Sequence, residues 1–420
     1  NDASRLWYGE YEGNAILSNP CNRSAGTCYV TFVSTKWRAG EIRAPAEMRN
    51  NMNNQNSRSE KTGFCEELLL KRGVPCIRYK EGANFATVRE QLAERMQREV
   101  YGYRPLKPEK ITYRIVEEDT RFCAGKALLR KVEIDSVIDG RSFVFPTYAV
   151  LPRDGKKHPF FVHINFRDNV PDKYMPSEEL VDNGFAVLSF CYQDVTTDNA
   201  DFEDGLAGIL YKDGQRSGSD CGKIAMWSWA ASRVMDYAQT IGDCLDLEKA
   251  CVCGHSRLGK TALLTGMLDE RFRFVFSNDS GCSGAALSHG KKGETIEKIC
   301  QSFPYWFCPH YQQYASAEEL PFDQHFVLAA CAPRYVYVAS AKEDTWADPE
   351  SEYLSCCEAG KTYEALGLKG FVHPDRLPIP GDAFMEGSIG YHLRPGDHYF
   401  SREDWLHFME FIKRKLSQHF

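Results

Sequence analysis

The pattern of hydrophobic and polar positions along the chain changes near Pro105. Before it, apolar residues recur at helical spacing over residues 85–101, and Gly102 followed by Pro105 ends this predicted helix. After it come three strand-like runs, which cover residues 111–116, 127–134 and 142–151. The turn Asp139-Gly140 separates the last two runs and predicts that they form an antiparallel hairpin.

From residue 160 onward, short runs of consecutive apolar residues alternate with longer segments of helical periodicity. Such runs are typical of strands that are buried on both faces. The predicted strands cover residues 160–165, 185–191, 250–253, 272–277, 335–339 and 389–394. The predicted helices cover residues 223–239, 257–267, 350–365 and 402–416. This alternation predicts an α/β fold in which helices cover both faces of a mostly parallel sheet.

The N-terminal part of the chain does not follow this alternation. Residues 50–58 are almost wholly polar and predict a loop or a disordered segment. We therefore predict an N-terminal extension over residues 1–80, partly loop or disordered, and a single α/β domain over residues 85–420.

The composition excludes several classes of partner. Hydrophobic residues make up 43% of the 420 positions, enough for a sizeable core, and the formal net charge is −7. A chain without a basic excess lacks the electrostatic footprint of nucleic-acid binding, and no apolar run has the length of a membrane span. We expect no nucleic-acid partner, no membrane partner, and a monomer.

The sixteen cysteines are mostly single residues inside apolar stretches, which is typical of small buried thiols. There is no Cys-x-x-Cys pair, and Cys356-Cys357 lies in a predicted helix with no histidine near it in sequence. We therefore expect no zinc or other metal site and no cofactor. Free thiols in this number favour a reducing environment.

Two unrelated chemistries fit the segment CVCGHSRLGKT, which runs from Cys251 to Thr261. A short apolar run turns at Gly254 and presents Ser256 at the start of a helix, as the nucleophile elbow of an α/β-hydrolase does. The same segment contains the P-loop pattern G-x-x-x-x-G-K-T, which also joins a strand to a helix. The local pattern leaves a serine hydrolase and an NTPase both open.

Residues further along the chain favour the hydrolase. A nucleophilic serine needs a base to take its proton and an acid to orient that base, and α/β-hydrolases place them in the order Ser, acid, His. Asp344 follows the predicted strand 335–339, and His398 follows the predicted strand 389–394. A P-loop enzyme would need a magnesium-binding Asp after an apolar strand, for which Asp279 is a mediocre candidate.

One departure from the general elbow G-x-S-x-G narrows the choice. Leu258 occupies the second glycine position, and Gly259 comes one residue later. The resulting pattern, G-x-S-R-x-G-K, resembles the elbow of the glucuronoyl esterases, carbohydrate esterase family fifteen. Five further blocks resemble that family and its bacterial members, from about residue 85 to the end: REVYG (98–102), DERF (269–272), SNDSG (277–281), EDTWADP (343–349) and GYHLRPGDH (390–398).

The resemblance implies a fold and an activity. The fold is that of an α/β-hydrolase, a three-layer sandwich with a mostly parallel central sheet and antiparallel N-terminal strands, formed by residues 85–420. The activity is that of a serine esterase on the ester between (4-O-methyl-)glucuronic acid of glucuronoxylan and lignin alcohols. An acetyl xylan esterase or another carbohydrate esterase on the same fold is the alternative, and a P-loop NTPase is the remote one.

The site residues follow from the chemistry and from this resemblance. Ser256 is the predicted nucleophile, and His398 is the predicted base and then acid. Arg257 is expected to stabilise the oxyanion through its backbone N–H and, by the resemblance, through its guanidinium. The resemblance also implies contacts to the sugar from three residues: Lys260, Glu294 and Trp346.

Two departures from the fungal members concern the triad. Those members have a cysteine before the serine, tied by a disulfide toward the catalytic histidine, whereas His255 and Asp397 occupy these places here. The fungal acid, a Glu, corresponds to Asp279, and bacterial members often carry an acid at the position of Asp344. Because Asp is one methylene shorter than Glu, we expect Asp344 to be the acid and keep Asp279 as the alternative.

The cellular location has two opposing indications. A polymeric substrate favours an extracellular site of action, whereas the free cysteines favour a reducing environment. The sequence leaves the location open, and the polymeric substrate favours the extracellular one only weakly.

Overall fold

The structure is a computed structural model, and it describes residues 62–78, 84–314 and 320–417. The polar loop predicted at residues 50–58, and most of the predicted extension over residues 1–80, lie outside the described residues. The described part of that extension, residues 62–78, contains the helix Phe64–Arg72. Its Cys65 and Leu69 are buried in the same core as the side chains of the α/β domain.

A ten-stranded mixed sheet lies at the centre of the described fold. Its strands, in chain order, are β1 (Lys110–Asp119), β2 (Ala127–Ile138), β3 (Arg141–Pro152), β4 (His158–Asn165), β5 (Ala186–Cys191), β6 (Leu245–His255), β7 (Phe274–Asn278), β8 (Tyr335–Ala341), β9 (Ala383–Phe384) and β10 (Ile389–Arg394). Their order across the sheet is β1-β2-β3-β5-β4-β6-β7-β8-β10-β9.

The direction of pairing divides the sheet as the sequence predicted. Strands β1, β2, β3 and β5 pair antiparallel in turn, and β2 and β3 form the expected hairpin. From β5 through β4, β6, β7 and β8 to β10 every pairing is parallel, and the short β9 closes the far edge antiparallel to β10. The predicted α/β class, with a mostly parallel sheet and antiparallel N-terminal strands, is confirmed.

Helices cover both faces of this sheet. They are α1 (Phe64–Arg72), α2 (Phe85–Met96), α3 (Ser177–Asp182), α4 (Gly205–Leu210), α5 (Lys223–Thr240), α6 (Arg257–Leu268), α7 (Ile296–Ser302), α8 (His325–Ala330), α9 (Pro349–Ala365) and α10 (Arg402–Ser417). Among the described residues, no helix is both long enough and apolar enough to cross a membrane.

The run Ala250–Cys253 in strand β6 is apolar at every position because both of its faces are buried. Val252 faces one hydrophobic core, which the side chains of α5, α6 and α9 fill. Cys251 and Cys253 face a second core on the other side of the sheet, which α3 and α10 fill. Both faces of the strand are therefore buried, and the sheet is the middle layer of three.

The helix predicted over residues 85–101 changes character near its end. It is α-helical from Phe85 to Met96 and continues as a π-helical turn over Gln97–Tyr101. The buried Tyr101 hydroxyl donates to the carbonyl oxygen of Ser283 at 2.8 Å. This bond ties the helix end to the segment that follows β7.

Asp269 joins the end of α6 to the start of β7. Its carboxylate accepts hydrogen bonds from the Ser232 hydroxyl at 2.7 Å and from Arg271 Nε and Nη2 at 2.9 and 2.6 Å. Burial alone would raise the pKa of Asp269, but the bonds from Arg271 outweigh it and lower the pKa to about 2.

We expect Asp269→Asn to lower the free energy of unfolding by about 3 kcal/mol near neutral pH, because it removes one charge of a buried ion pair. The carboxylate's contribution is complete above its unfolded pKa of about 3.9 and is lost as the pH falls toward about 2. Urea unfolding of both proteins between about pH 7 and about pH 2.5 tests this. A difference that stays constant over that range would contradict the assignment.

Candidate active site

Ser256 occupies a sharp turn between β6 and α6. Its backbone angles are φ 58° and ψ −127°, in the left-handed range that residues other than glycine rarely adopt. Its N–H donates to the carbonyl oxygen of Asn278 at the end of β7, at 2.9 Å. This strained strand-to-helix geometry is that of a nucleophile elbow.

Steric contacts explain the two glycines of the elbow. A Cβ at Gly254 would lie 2.2 Å from the carbonyl oxygen of Leu258, and one at Gly259 would lie 3.0 Å from Ser280 Cβ. Glycine is therefore needed at position 254, and a side chain at position 259 would be tight against the segment after β7, on which α6 packs. Leu258 is fully buried in the core, which explains an apolar residue at the usual second glycine position.

The other predicted catalytic residues lie at the same edge of the sheet as Ser256. Asp279 follows β7 directly, Asp344 follows β8, and His398 follows β10. Because β6, β7, β8 and β10 are parallel, their carboxyl ends meet at one edge, where α/β proteins place their ligands.

His398 is paired with Asp344. Its Nδ1 lies 2.6 Å from Asp344 Oδ2, and Asp344 Oδ1 accepts the N–H of Ala347 at 3.1 Å. The Asp344 side chain is 5% exposed and that of His398 is 43% exposed. Burial raises the pKa of Asp344, but the hydrogen bond and the charge of His398 outweigh it and lower the pKa. An ionised carboxylate therefore holds a solvent-accessible imidazole.

Asp279 adjoins this pair, but its hydrogen bonds go elsewhere. Carboxylate oxygens of Asp279 and Asp344 and a ring nitrogen of His398 lie within 4.8 Å of one another. Asp279 Oδ1 accepts the N–H of Ala341 at 2.8 Å, and Oδ2 accepts from Arg394 Nη2 at 3.2 Å. Burial and the carboxylates of Glu352 and Asp404 raise its pKa well above the usual value. The pKa shifts of the two acids are therefore opposite, and the lowered one belongs to the partner of His398.

His255 takes the place of a cysteine in the fungal pattern. Its Nδ1 lies 2.6 Å from Asn278 Oδ1, and its ring centroid lies 4.4 Å from that of His398. Burial and the neighbouring His398 lower the pKa of His255 to about 3. His255 is therefore a neutral ring against which His398 packs, and it adds no positive charge beside a base that must accept a proton.

Arg257 is held by a buried carboxylate and an aromatic ring. Its Nη1 donates to Asp198, and its guanidinium carbon lies 4.8 Å from the ring centroid of Trp306. Asp198 also accepts from Trp306 Nε1 at 2.6 Å and from the Tyr192 hydroxyl at 3.0 Å. Arg257 Nε is buried and has no hydrogen-bond partner among the described residues. The Nε–H group is therefore a buried hydrogen-bond donor without an acceptor among the described residues, and it lies next to the elbow.

The three residues expected on the sugar differ in exposure. Lys260 is buried, and its Nζ donates to the carbonyl oxygen of Ser280. Burial lowers its pKa and the charge of Glu294 opposes this, so Glu294 is near the ammonium. The N–H of Glu294 donates to the carbonyl oxygen of Trp346 at 3.1 Å. Trp346 is 53% exposed, with Lys298 Nζ 4.9 Å from its ring centroid, so its ring is open to solvent.

The sequence did not indicate two residues that matter in this region. Asp198 lies in the loop after β5 and anchors Arg257, but an acid in a polar loop gives no signal of its own. Arg394 ends β10 and donates to Asp404 and to the carbonyl oxygens of Asp397 and Tyr399. It therefore holds both sides of the loop that carries His398. Arg394 could have been noticed in the sequence, because it ends a mostly apolar strand and a buried guanidinium needs acidic partners.

Sequence comparisons identify the relatives of this chain. The family model for fungal glucuronyl esterases matches residues 134–367, more than half of the chain. The carbohydrate esterase MZ0003 of an unknown prokaryotic organism is 42% identical over 243 residues, 57% of this chain and 56% of the relative. The 4-O-methyl-glucuronoyl methylesterase of Podospora anserina is 27% identical over 298 residues, 68% of this chain and 57% of the relative. The chain thus spans little more than half the length of these relatives.

Solved structures extend the match over most of the described fold. A promiscuous CE15 esterase from the marine bacterial metagenome superposes with a TM-score of 0.73 at 30% identity, covering 81% of this chain and 96% of that one. The glucuronoyl esterase from Solibacter usitatus gives a TM-score of 0.73 at 29% identity and covers 81% and 97%. These matches confirm the α/β-hydrolase fold, and the P-loop interpretation of the segment that begins at Gly254 is wrong. The chain belongs to the glucuronoyl esterase family.

Proposed function

We propose that this chain is a serine esterase that hydrolyses the ester between (4-O-methyl-)glucuronic acid of glucuronoxylan and lignin alcohols. The observation that carries the proposal is the 2.6 Å contact between His398 and Asp344 at the sheet edge where the strained Ser256 ends β6. Family membership and the names of the relatives support the glucuronate ester as the substrate class.

In the first step, Ser256 Oγ attacks the carbonyl carbon of the ester. The Oγ proton goes to His398 Nε2, because Asp344 occupies the Nδ1 side of the ring. The ester C–O bond then breaks, and His398 returns the proton to the departing alcohol. The product is a glucuronoyl group bound as an ester to Ser256.

The negative charge on the carbonyl oxygen needs donors at the elbow. Arg257 is the first residue of α6, and the first N–H groups of a helix have no intrahelical partner. Its backbone N–H and its guanidinium are the two donors we assign to this oxygen. Asp198 and Trp306 hold the guanidinium in place.

Water completes the cycle. His398 takes a proton from the water as it attacks the glucuronoyl-Ser256 ester, and then gives the proton to Ser256 Oγ as the free uronic acid forms. No metal or cofactor is needed for these steps. The half-exposed His398 is accessible both to water and to a leaving alcohol that belongs to a polymer.

The sugar would lie between the elbow and the exposed Trp346. An aromatic face that is 53% exposed suits the apolar face of a pyranose. The N–H of Glu294 donates to the backbone of Trp346, and the carboxylate of Glu294 can accept hydrogen bonds from sugar hydroxyls. Lys260 Nζ donates to the carbonyl oxygen of Ser280. We therefore assign two roles to Lys260: it supports this surface, and it binds the sugar hydroxyls.

Parallel hydrolysis of benzyl glucuronate and acetylated xylan tests the proposal. We expect cleavage of benzyl glucuronate without added metal or nucleotide, and release of acetate from xylan at a much lower kcat/KM. Rapid deacetylation with no turnover of glucuronate esters would assign the chain to the acetyl esterases instead. A Ser256→Ala protein serves as the blank for both substrates.

We expect Arg257→Ala to lower kcat by roughly a hundredfold or more, with a smaller change in KM, as the loss of one oxyanion donor does. Asp198→Asn should lower kcat by about tenfold, because the guanidinium loses its charged anchor but remains present. Asp201→Asn is the matched control, because the carboxylate of this exposed acid in the same loop accepts only the nearby N–H of Glu203 among the described residues. A rise in KM with unchanged kcat in Arg257→Ala would make Arg257 a ground-state ligand instead.

A further inference from the structure

Two thiols and one imidazole meet where α1 packs near α9, among residues to which the proposed esterase mechanism gives no role. They belong to Cys65 of α1, Cys357 of α9 and His373 of the segment after α9. The two sulfurs and a ring nitrogen lie within 4.8 Å of one another, and Cys65 Sγ lies 3.9 Å from His373 Nδ1. We call these three residues the thiol–imidazole cluster.

The imidazole of the cluster is held in one orientation. The His373 ring stacks on Phe371 with centroids 5.2 Å apart and meets Tyr353 edge-on at 5.7 Å. Its Nδ1 accepts the N–H of Asp375 at 3.1 Å and lies 3.9 Å from Cys65 Sγ, so this nitrogen is unprotonated. A metal ion bound to Nδ1 would replace the hydrogen bond from Asp375, while the two aromatic contacts keep the ring in place.

The two thiols of the cluster differ in acidity, because burial and the neighbouring Cys65 raise the pKa of Cys357 well above the usual thiol value. The hydrogen bond from the Cys357 thiol, and also the interaction with His373, lower the pKa of Cys65 to about 6, although burial opposes them. Both cysteines are buried, at 3% and 8% exposure. Asp375 further fixes Cys65, because its carboxylate accepts the N–H groups of Phe64 and Cys65 at 2.8 and 3.0 Å.

We propose that Cys65, Cys357 and His373 bind one Zn²⁺ ion, with water in the fourth position. Two thiolates and an imidazole are a donor set that Zn²⁺ prefers. Tetrahedral zinc with bonds of about 2.3 Å to sulfur and about 2.0 Å to nitrogen places these atoms about 3.5 to 3.8 Å apart, so the cluster needs only a small contraction. The half-buried His373 leaves a route of entry for the ion.

The zinc ion would connect parts of the chain that are distant in sequence. Cys65 and His373 are 308 positions apart, so the ion would fasten the first described helix to α9 and the segment after it. This proposal departs from the expectation of no metal site. That expectation rested on the lack of a histidine near Cys356-Cys357 in sequence, whereas folding brings His373 beside Cys357 from a separate segment.

Cobalt titration of the reduced, metal-free full chain tests this proposal. We expect a thiolate-to-cobalt charge-transfer band that saturates at about one equivalent and is abolished by added Zn²⁺. Cys65→Ser, Cys357→Ser and His373→Ala should each lose or strongly weaken the band. Cys356→Ser is the matched control, because Cys356 is the buried neighbour of Cys357 on the same helix and lies outside the cluster.

Thermal unfolding gives a second readout that does not use enzyme activity. At roughly a hundredfold excess over its Kd, Zn²⁺ should raise the Tm of the wild type and of Cys356→Ser by about 3 to 5 °C, and that of Cys357→Ser by much less. Equal cobalt binding by Cys357→Ser and the wild type, or no binding by the wild type, would overturn the proposal. So would a mass about 2 Da lower that disappears in Cys65→Ser, with no cobalt band after reduction, since the pair would then be a redox disulfide.

Discussion

Ser256→Ala and His398→Ala are each expected to lower kcat on benzyl glucuronate by about 10⁴-fold or more. The serine forms the bond to the substrate, and the histidine moves the proton that this bond formation releases. Neither residue can act without the other, so the double variant should be little slower than either single variant. Steady-state kinetics of the three proteins beside the wild type measure this.

The control for the histidine is His310→Ala, because His310 is also about 39% exposed and pairs with Glu99. It should retain wild-type kcat. Losses that multiply in the double variant would show that Ser256 and His398 act in separate steps, contrary to a shared nucleophile and base.

Asp344→Asn is expected to lower kcat by about 10⁴-fold, whereas Asp279→Asn should lower it by about tenfold or less. An amide at position 344 can no longer accept the Nδ1–H of His398 as a charged partner, so the imidazolium that forms in the reaction is not stabilised. Asp279 instead binds Arg394 and the N–H of Ala341.

Asp279→Asn should fold, because Arg394 keeps its bonds to Asp404 in this variant. We expect Asp344→Asn to fold as well. Circular dichroism and the Tm of each protein check this before the kinetics are compared. If Asp279→Asn proved the slower enzyme, Asp279 would be the triad acid. Equal moderate losses would mean that the two carboxylates share the role.

The buried strands were predictable because both of their faces are covered. Strands β4, β5 and β10 are mostly apolar, and their predicted bounds agree with the structure within two residues. Strand β6 begins at Leu245, before the predicted 250–253, because its first half is mostly polar and only partly buried and so shows no apolar run. Helices α3, α4, α7 and α8 were missed, because six or seven residues are too few to show a helical period.

The catalytic residues were predictable where a single polar residue follows the end of an apolar strand. Ser256, Asp344 and His398 could be placed because each follows its own apolar strand in the order that the hydrolase fold requires. Asp198 could not, because its role depends on contacts with Arg257 and Trp306 that only folding creates. The same holds for Cys65 and His373, whose spacing in the sequence has no metal-binding pattern.

The central claim is that Ser256 carries the glucuronoyl group during turnover. Acid quench of the enzyme during hydrolysis of benzyl glucuronate, followed by mass spectrometry of its peptides, tests this most directly. The peptide that contains Ser256 should gain about 176 Da, the mass of a glucuronoyl group in place of a proton, and should not gain it in Ser256→Ala. An adduct on another residue, or hydrolysis by Ser256→Ala at the wild-type rate, would contradict the claim.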